Sequence, residues 1–336
     1  MGKQEAWDHK LNSLIMDFQD TFGLITENFV CPILYSNEKV PLCRGHIVNR
    51  SFSNASRKWT VQRSDIDNFY GRNFESHFSL IENKEDISAF NALVDKKLNR
   101  ELKPNIMLNG EQIEYSKDMK NIPPFFTPLI IKSNDQSTQV NLKLSPEEFE
   151  KRKFQKLEIS FQSDLTIPSC ASLIKAAHLT MFDMVGYKYS YSSGGYYIGK
   201  TVLGNFFLLN KGKSNTEIEL SAKLYFSTYL NIFRVVESTP YTFKGTVSDN
   251  NLFICQDHGE TPWGFMVFIN TGNSLHSVIL PHVDSREKIE KYYRFLTDSR
   301  EEIAVHYCHY ENGEWQMAEE EIRIKWPKVS GGYFYK

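Results

Sequence analysis

No apolar run in this chain of 336 residues approaches the roughly 18 residues of a membrane span, so the sequence offers no membrane-crossing segment. The stretch from Met1 to Lys10 holds no apolar region of the signal-peptide kind, and Ala6 stands where a myristoylation motif carries Ser or Thr. A cytoplasmic chain without membrane contact is therefore the expectation. Cysteine is scarce: Cys31, Cys43, Cys170, Cys255 and Cys308 are odd in number and form no C-x-x-C pair. That count argues against a disulfide framework, and Cys31 and Cys43 cannot complete a tetrahedral zinc site alone. An excess of either charge is missing too, with 39 Lys and Arg against 41 Asp and Glu. Bulk charge thus calls for no polyanionic partner, and any such function must sit in a local patch. Phosphate-binding, dinucleotide, kinase and serine-hydrolase signatures are absent, as is any repeat of fixed period.

What is present suffices for a packed core, since 41% of residues are hydrophobic and 14% aromatic. Residues 5–21 read as an amphipathic helix with Trp7, Leu11, Leu14, Ile15 and Phe18 on one stripe. Residues 86–99 read as a second helix. Alternating segments between 105 and 165 read as strands with a short charged helix near 146–156, and 121–128 as a turn. Residues 168–187 predict a helix started by Pro168 and Ser169 and ended at Gly186. The Tyr- and Gly-rich stretch after it reads as a hairpin turning at Gly194-Gly195, with a loop that stacks bases as the alternative. From 218 onward short strands are expected, interrupted by one helix at 285–296. The sum is an α+β chain. It divides into an N-terminal helix (1–24), a small irregular module with a flanking helix (25–100) and a larger domain of mostly antiparallel strands (101–336), with a recognition or regulatory role.

The informative segment is 31–78. Between Lys39 and Arg63 it carries six basic residues, Lys39, Arg44, Arg50, Arg57, Lys58 and Arg63, and no acid. Such a patch can release counterions from a phosphate backbone; a solvated basic loop is the plain alternative. Within it His46 stands at the end of an expected strand, among Arg and Asn. About twenty residues on, Asp65, Asp67 and Asn68 open an expected helix. A strand–loop–helix unit of this size can face a histidine across a helix-held metal, an arrangement suited to phosphodiester cleavage. The two aspartates equally suit a helix N-terminus, with Ser64 as its cap.

In order, Cys31-Pro32-Ile33-Leu34, Gly45-His46-Ile47-Val48, Ser64-Asp65-Ile66-Asp67-Asn68 and Phe69 through Glu75 resemble the HNH, or ββα-metal, nuclease family over roughly 50 residues. The resemblance implies a small ββα-metal-like module with His46 as general base. Asn68, with Asp65 or Asp67, would hold Mg²⁺ or Mn²⁺, and Arg44, Arg50, Arg57, Lys58 and Arg63 would bind nucleic acid. It extends by family context to mobile elements and phage defence. Three zinc-knuckle cysteines are replaced by Leu34, Ser64 and Asp67, so a structural zinc is not expected. Packing by Phe52, Trp59, Phe69, Tyr70, Phe74 and Phe78 must hold the module instead. Gly45 stands where the family carries a metal ligand. These departures keep open a catalytically inactive module that binds nucleic acid or protein, or an α+β binding protein of unrelated kind. Elsewhere, His77 and His178 read as structural, His178 with Asp183 as a conceivable polar partner. The clusters Cys255–Glu260 and His306–His309 are assigned no metal, because strand alternation separates His306 and Cys308 from His309.

Overall fold

The computed structural model describes residues 2–52, 57–82, 89–94, 99, 104–117, 119, 121–133, 136–152, 156–160, 166–227, 252–256, 264–271, 275–281, 302–311 and 314–325. The chain is α+β, with antiparallel sheets. Its elements in order are α1 (Lys3–Phe22), β1 (Leu42–His46), β2 (Trp59–Arg63), α2 (Ser64–Tyr70), a π-helical turn (Gly71–Glu75) and α3 (Ser76–Glu82). Then come α4 (Ala89–Val94), β3 (Asn105–Leu108), β4 (Glu111–Ile113), β5 (Tyr115–Ser116), β6 (Thr127–Ser133), β7 (Gln136–Leu142), α5 (Pro146–Arg152) and β8 (Leu157–Ser160). Helices α6 (Thr166–Val185), α7 (Tyr187–Ser190), α8 (Ser193–Tyr196), a second π segment (Tyr197–Gly204), α9 (Asn205–Asn210) and α10 (Asn215–Ser227) follow. Strands β9 (Leu252–Gln256), β10 (Gly264–Asn270), β11 (Leu275–Pro281), β12 (Glu302–Glu311) and β13 (Glu314–Lys325) complete it.

Two compact units result, one of residues 1–82 with 165–336 and one of residues 83–164. These are not the sequence-based divisions at 24/25 and 100/101. The smaller unit holds two three-stranded sheets, β4-β3-β8 and β5-β7-β6, around Leu93, Ile106, Leu108, Val140 and Leu142. In the larger unit, the segment carrying β1, β2 and α2 shares one core with α6 and β10–β11. It has no separate core because α6 supplies the apolar surface that a 50-residue module lacks. Helix α6 is buried continuously from Ser169 to Phe182, as a helix with apolar residues on every side must be. The sheet runs β11-β10-β9-β12-β13, and α6 packs on β10 and β11. Helix α1 applies the expected stripe, burying Leu14 and Phe18 with Trp7 and Leu11 packed beside them. Phe52, Tyr70, Phe74 and Phe78 are all buried, with Trp59 and Phe69 packed on the same core. Among the described residues no helix is long and apolar enough to cross a membrane.

Two sequence expectations fail here. Residues 187–204 form no hairpin: Ser192 caps α8 by accepting from the Gly195 N–H, and Gly194-Gly195 lie inside the helix. The glycines serve close packing rather than a turn. A Cβ at Gly199 would lie 2.5 Å from the Pro32 carbonyl oxygen, and one at Gly204 2.5 Å from that of Ile33. Residues 218–227 are helical, not strand, because α10 buries Ile218, Ala222 and Phe226 at helical spacing. The helix expected at 285–296 and the 257–260 part of the Cys255 cluster lie outside the described residues.

The strap at 30–35 is fastened to the helices by side chains. Tyr187 donates to the Val30 carbonyl, Lys200 to that of Leu34, and Tyr35 to those of Ser190 and Gly195. His178 Nε2 lies 3.0 Å from the Pro32 oxygen, and Nδ1 lies 3.0 Å from the Tyr189 hydroxyl. A carbonyl only accepts, so Nε2 carries the proton and Nδ1 accepts from Tyr189. Asp183 pairs instead with Lys10. Burial pushes the His178 pKa down to about 4, so the ring is neutral when folded. The unfolded state then binds the extra proton between about pH 6.5 and 4. Stability carried by His178 is complete above about pH 6.5 and falls with acid, by about 3 kcal/mol across the window. Urea midpoints at about pH 7 and about pH 5 should therefore separate more for wild type than for His178→Gln; equal separations would contradict this assignment.

Candidate functional site

Strands β1 and β2 pair antiparallel, from Leu42 with Arg63 to His46 with Trp59. Period-two alternation sets Cys43, Gly45, Thr60 and Gln62 on one face, and Arg44, His46, Trp59 and Val61 on the other. On the second face the Arg44 guanidinium lies 4.0 Å over the Trp59 ring, whose stacking partner is Trp7 at 6.2 Å. On the first face Gln62 fills the space above Gly45, where a Cβ would meet its Nε2 at 2.1 Å. A side chain at position 45 would have to displace the end of Gln62. Gln62 is buried, and neither its Nε2 and Oε1 nor Thr60 Oγ1 has a hydrogen-bond partner among the described residues.

Helix α2 begins at Ser64 directly after β2, so the hairpin-then-helix order expected from the sequence is present. Ser64 is not its cap: Arg63 holds the N-cap position and gives no side-chain cap bond. Gly71 keeps helical angles and opens the π turn, in which the Ser76 N–H donates to the Gly71 carbonyl. The turn has a positional consequence. Eight residues of α-helix leave Glu75 about 80° out of line with Asp67. One π bulge takes back roughly one residue's rotation, about 100°, and returns Glu75 to the face of Asp67.

Between these carboxylates lies the Lys175 ammonium from α6. Its Nζ is 2.9 Å from Asp67 Oδ1 and 2.8 Å from Glu75 Oε1, and the side chain is wholly buried. The other oxygens are held as well. Asn49 Nδ2 donates to Glu75 Oε2 at 2.8 Å, and the Cys43 thiol lies 3.7 Å from Asp67 Oδ2. Burial drives a lysine toward neutrality, but the Glu75 and Asp67 charges outweigh it and hold Lys175 above its ordinary pKa. Burial and the neighbouring Asp67 push the Cys43 thiol up to about 11, so it remains a thiol donor. Asn49 Oδ1 accepts from the Ser51 N–H and hydroxyl, and this tethers the start of the basic loop to the buried network.

The residues proposed from the sequence as metal ligands are not brought together. Asp65 turns to Arg63, at 2.9 Å, and to Lys211. Its partial burial is outweighed by these partners, which hold its carboxyl below the usual range. Asp67 faces Lys175. Each acid thus already answers a protein cation, and Asn68 is exposed on α2. Arg63 is corrected too. It is buried, spending its guanidinium on Asp65, Glu38 and Ser36, and cannot reach a phosphate. Arg44, Arg50, Arg57 and Lys58 are exposed. His46 is half-buried, and its pKa is lowered by burial, then by Arg50 and Arg44, against an opposing pull from Asp67, and by Arg57. Asn49 and Lys175 were not singled out in the sequence, and Glu75 entered only as the end of the helix segment that resembles the nuclease family. A lone lysine within an otherwise apolar helix was the one available hint.

Comparison of the chain with family models, curated proteins and solved structures returned no match.

The network predicts unequal costs. Glu75→Gln should destabilise the protein by about 3–5 kcal/mol, since it strips a buried ammonium of one partner. Asn68→Ala, at an exposed position, should stay within about 0.5 kcal/mol of wild type. Urea denaturation of both variants is the check, and equal effects would contradict the asymmetry.

Proposed function

We propose that this chain binds nucleic acid through the outer edge of the β1–β2 hairpin, using Arg44, Arg50, Arg57 and Lys58, and that its acidic centre is structural rather than a metal-dependent catalytic site. The observation that carries the reading is the set of exposed basic residues, Arg44 on β1 with Arg50, Arg57 and Lys58 between the two strands, near enough to His46 that Arg50, Arg44 and Arg57 add to the burial that lowers its pKa. Cations repel a proton where positive potential accumulates, and such potential attracts a phosphate backbone. The acids that would cancel it are engaged: Asp65 by Arg63 and Lys211, Asp67 by Lys175. Arg44, whose guanidinium carbon lies 4.0 Å over the Trp59 ring, adds a cation–aromatic pair of the kind that single-stranded bases are bound by.

A second reading, an HNH-like phosphodiesterase of defence or mobile-element type, is favoured by one feature. A neutral His46 is the protonation state a general base requires. Both readings use the same hairpin, and they differ in what His46 does.

The test is binding and cleavage of DNA and RNA oligonucleotides by the full-length protein over a salt series. Arg44→Glu, Arg50→Glu and Arg57→Glu together should abolish binding. Singly, each Arg→Ala change should flatten the log–log salt dependence by about one unit. His46→Ala should bind like wild type. Binding that ignores the triple reversal defeats the proposal. Wild-type cleavage that falls about a hundredfold or more in His46→Ala would establish the second reading instead.

A further inference from the structure

Leucines exposed singly are ordinary on a protein surface; on α9 and α10 they occur together. Among the described residues of the larger unit, every exposed leucine except Leu24 lies on one of these two helices. Leu208 and Leu209 stand on α9, and α10, which packs against α9, carries Leu220 and Leu224. The two leucines of α10 are 64% and 72% exposed, and at four residues apart they are neighbours on one stripe. Ile218, Ala222 and Phe226 are the residues α10 buries. Each leucine is two residues from a buried neighbour, about 200° of helical rotation, so the leucine stripe lies opposite the core stripe.

Charge is arranged along the same helix. Glu219 and Lys223 lie on one flank of the leucine stripe, 3.5 Å apart and both exposed. Glu217 is turned back to the N–H and hydroxyl of Ser214. A two-fold axis perpendicular to α10 near Ala222 sets a second α10 antiparallel to the first and brings the same flank of both helices together. Leu220 then meets Leu224 of the second copy, and Leu224 meets Leu220. Glu219 falls about 3 Å along the helix from Lys223 of the second copy, within reach of that long side chain, and symmetry repeats the pair. The face is complementary to itself in its leucines and in its charges, as an isologous contact requires.

We propose that two copies of this chain associate through α10, antiparallel about a two-fold axis, with Leu220 and Leu224 as the apolar contact and Glu219 and Lys223 as reciprocal ion pairs. One helix of 13 residues per chain, about 20 Å long, makes a contact at the small end of specific interfaces. The dimer is therefore weak, and its population follows concentration.

The experiment uses full-length protein without nucleic acid, so its failure is separate from any failure of the binding reading. Sedimentation velocity is recorded over a roughly hundredfold range of concentration. Wild type should pass from monomer to dimer, and Leu220→Glu with Leu224→Glu should stay monomeric. Glu219→Lys and Lys223→Glu should each raise the dissociation constant about tenfold or more, because either turns two ion pairs into two like-charge pairs. An equimolar mixture of these two variants should dimerise as wild type does, since opposite charges again meet across the axis. All four positions are exposed, so thermal melting of every variant should match wild type, and the charge mixture tests the contact without the leucine changes. The proposal is overturned if wild type stays monomeric throughout. Flotation of that monomer with anionic phospholipid vesicles would then assign the leucines to a lipid surface instead. It is equally overturned if the leucine variant still dimerises, or if the mixture dimerises no better than either variant alone.

Discussion

An ammonium inside a helix buried on every side stays charged only if the rest of the structure brings anions to it. Lys175 on α6 imposes that condition, and Asp67 and Glu75 on the α2–π turn segment meet it at hydrogen-bond distance. The hairpin segment is thereby held to the central helix by charge as well as by Tyr70, Phe74 and Phe78. A pair of this kind is costly to desolvate and gains little net stability over an apolar replacement, yet it penalises any arrangement that leaves one partner alone. Its role is to set register: the Asp67 and Glu75 faces of one helix, and through Asn49 the start of the basic loop, are fixed relative to α6.

The π turn makes this possible. In a regular helix Asp67 and Glu75 would face different neighbours, and one of them would be left unpaired or Lys175 half-compensated. The strap at 30–35 contributes a second constraint, since its carbonyls pass so close to Gly199 and Gly204 that no side chain fits there. Between them the strap and the buried ion network hold both ends of the hairpin segment, a task that elsewhere a metal knuckle can perform. Exposed Arg44 lies on β1 of this hairpin, and exposed Arg50 and Arg57 fall between β1 and β2 in the sequence.

Local information was enough for the elements whose residues act on their immediate neighbours. The stripe of α1 and the apolar run of α6 follow from periodicity, and the strand ending at His46 and the helix opening at Ser64 from the residue types there and the family resemblance. It was not enough where a residue's reason lies far along the chain. Gly194-Gly195 looked like a turn because glycine permits turns, whereas the glycines of that stretch answer to backbone packed against them. Arg63 looked like a phosphate ligand because it sits in a basic run, yet Asp65 and Glu38 take its guanidinium in the folded state.

The sequence by itself determined the α+β class, the hairpin followed by a helix, and the exposed basic residues around His46, because charge, turn chemistry and hydrophobic period act over a few residues. Only the tertiary structure decided what the acids of that helix do. Lys175 lies 108 residues beyond Asp67 and 100 beyond Glu75, and nothing local marks the three as one cluster. Whether a carboxylate binds an ion, a substrate or the protein's own ammonium depends on which charge the fold buries beside it, and that choice is made only when α6 packs beneath the hairpin.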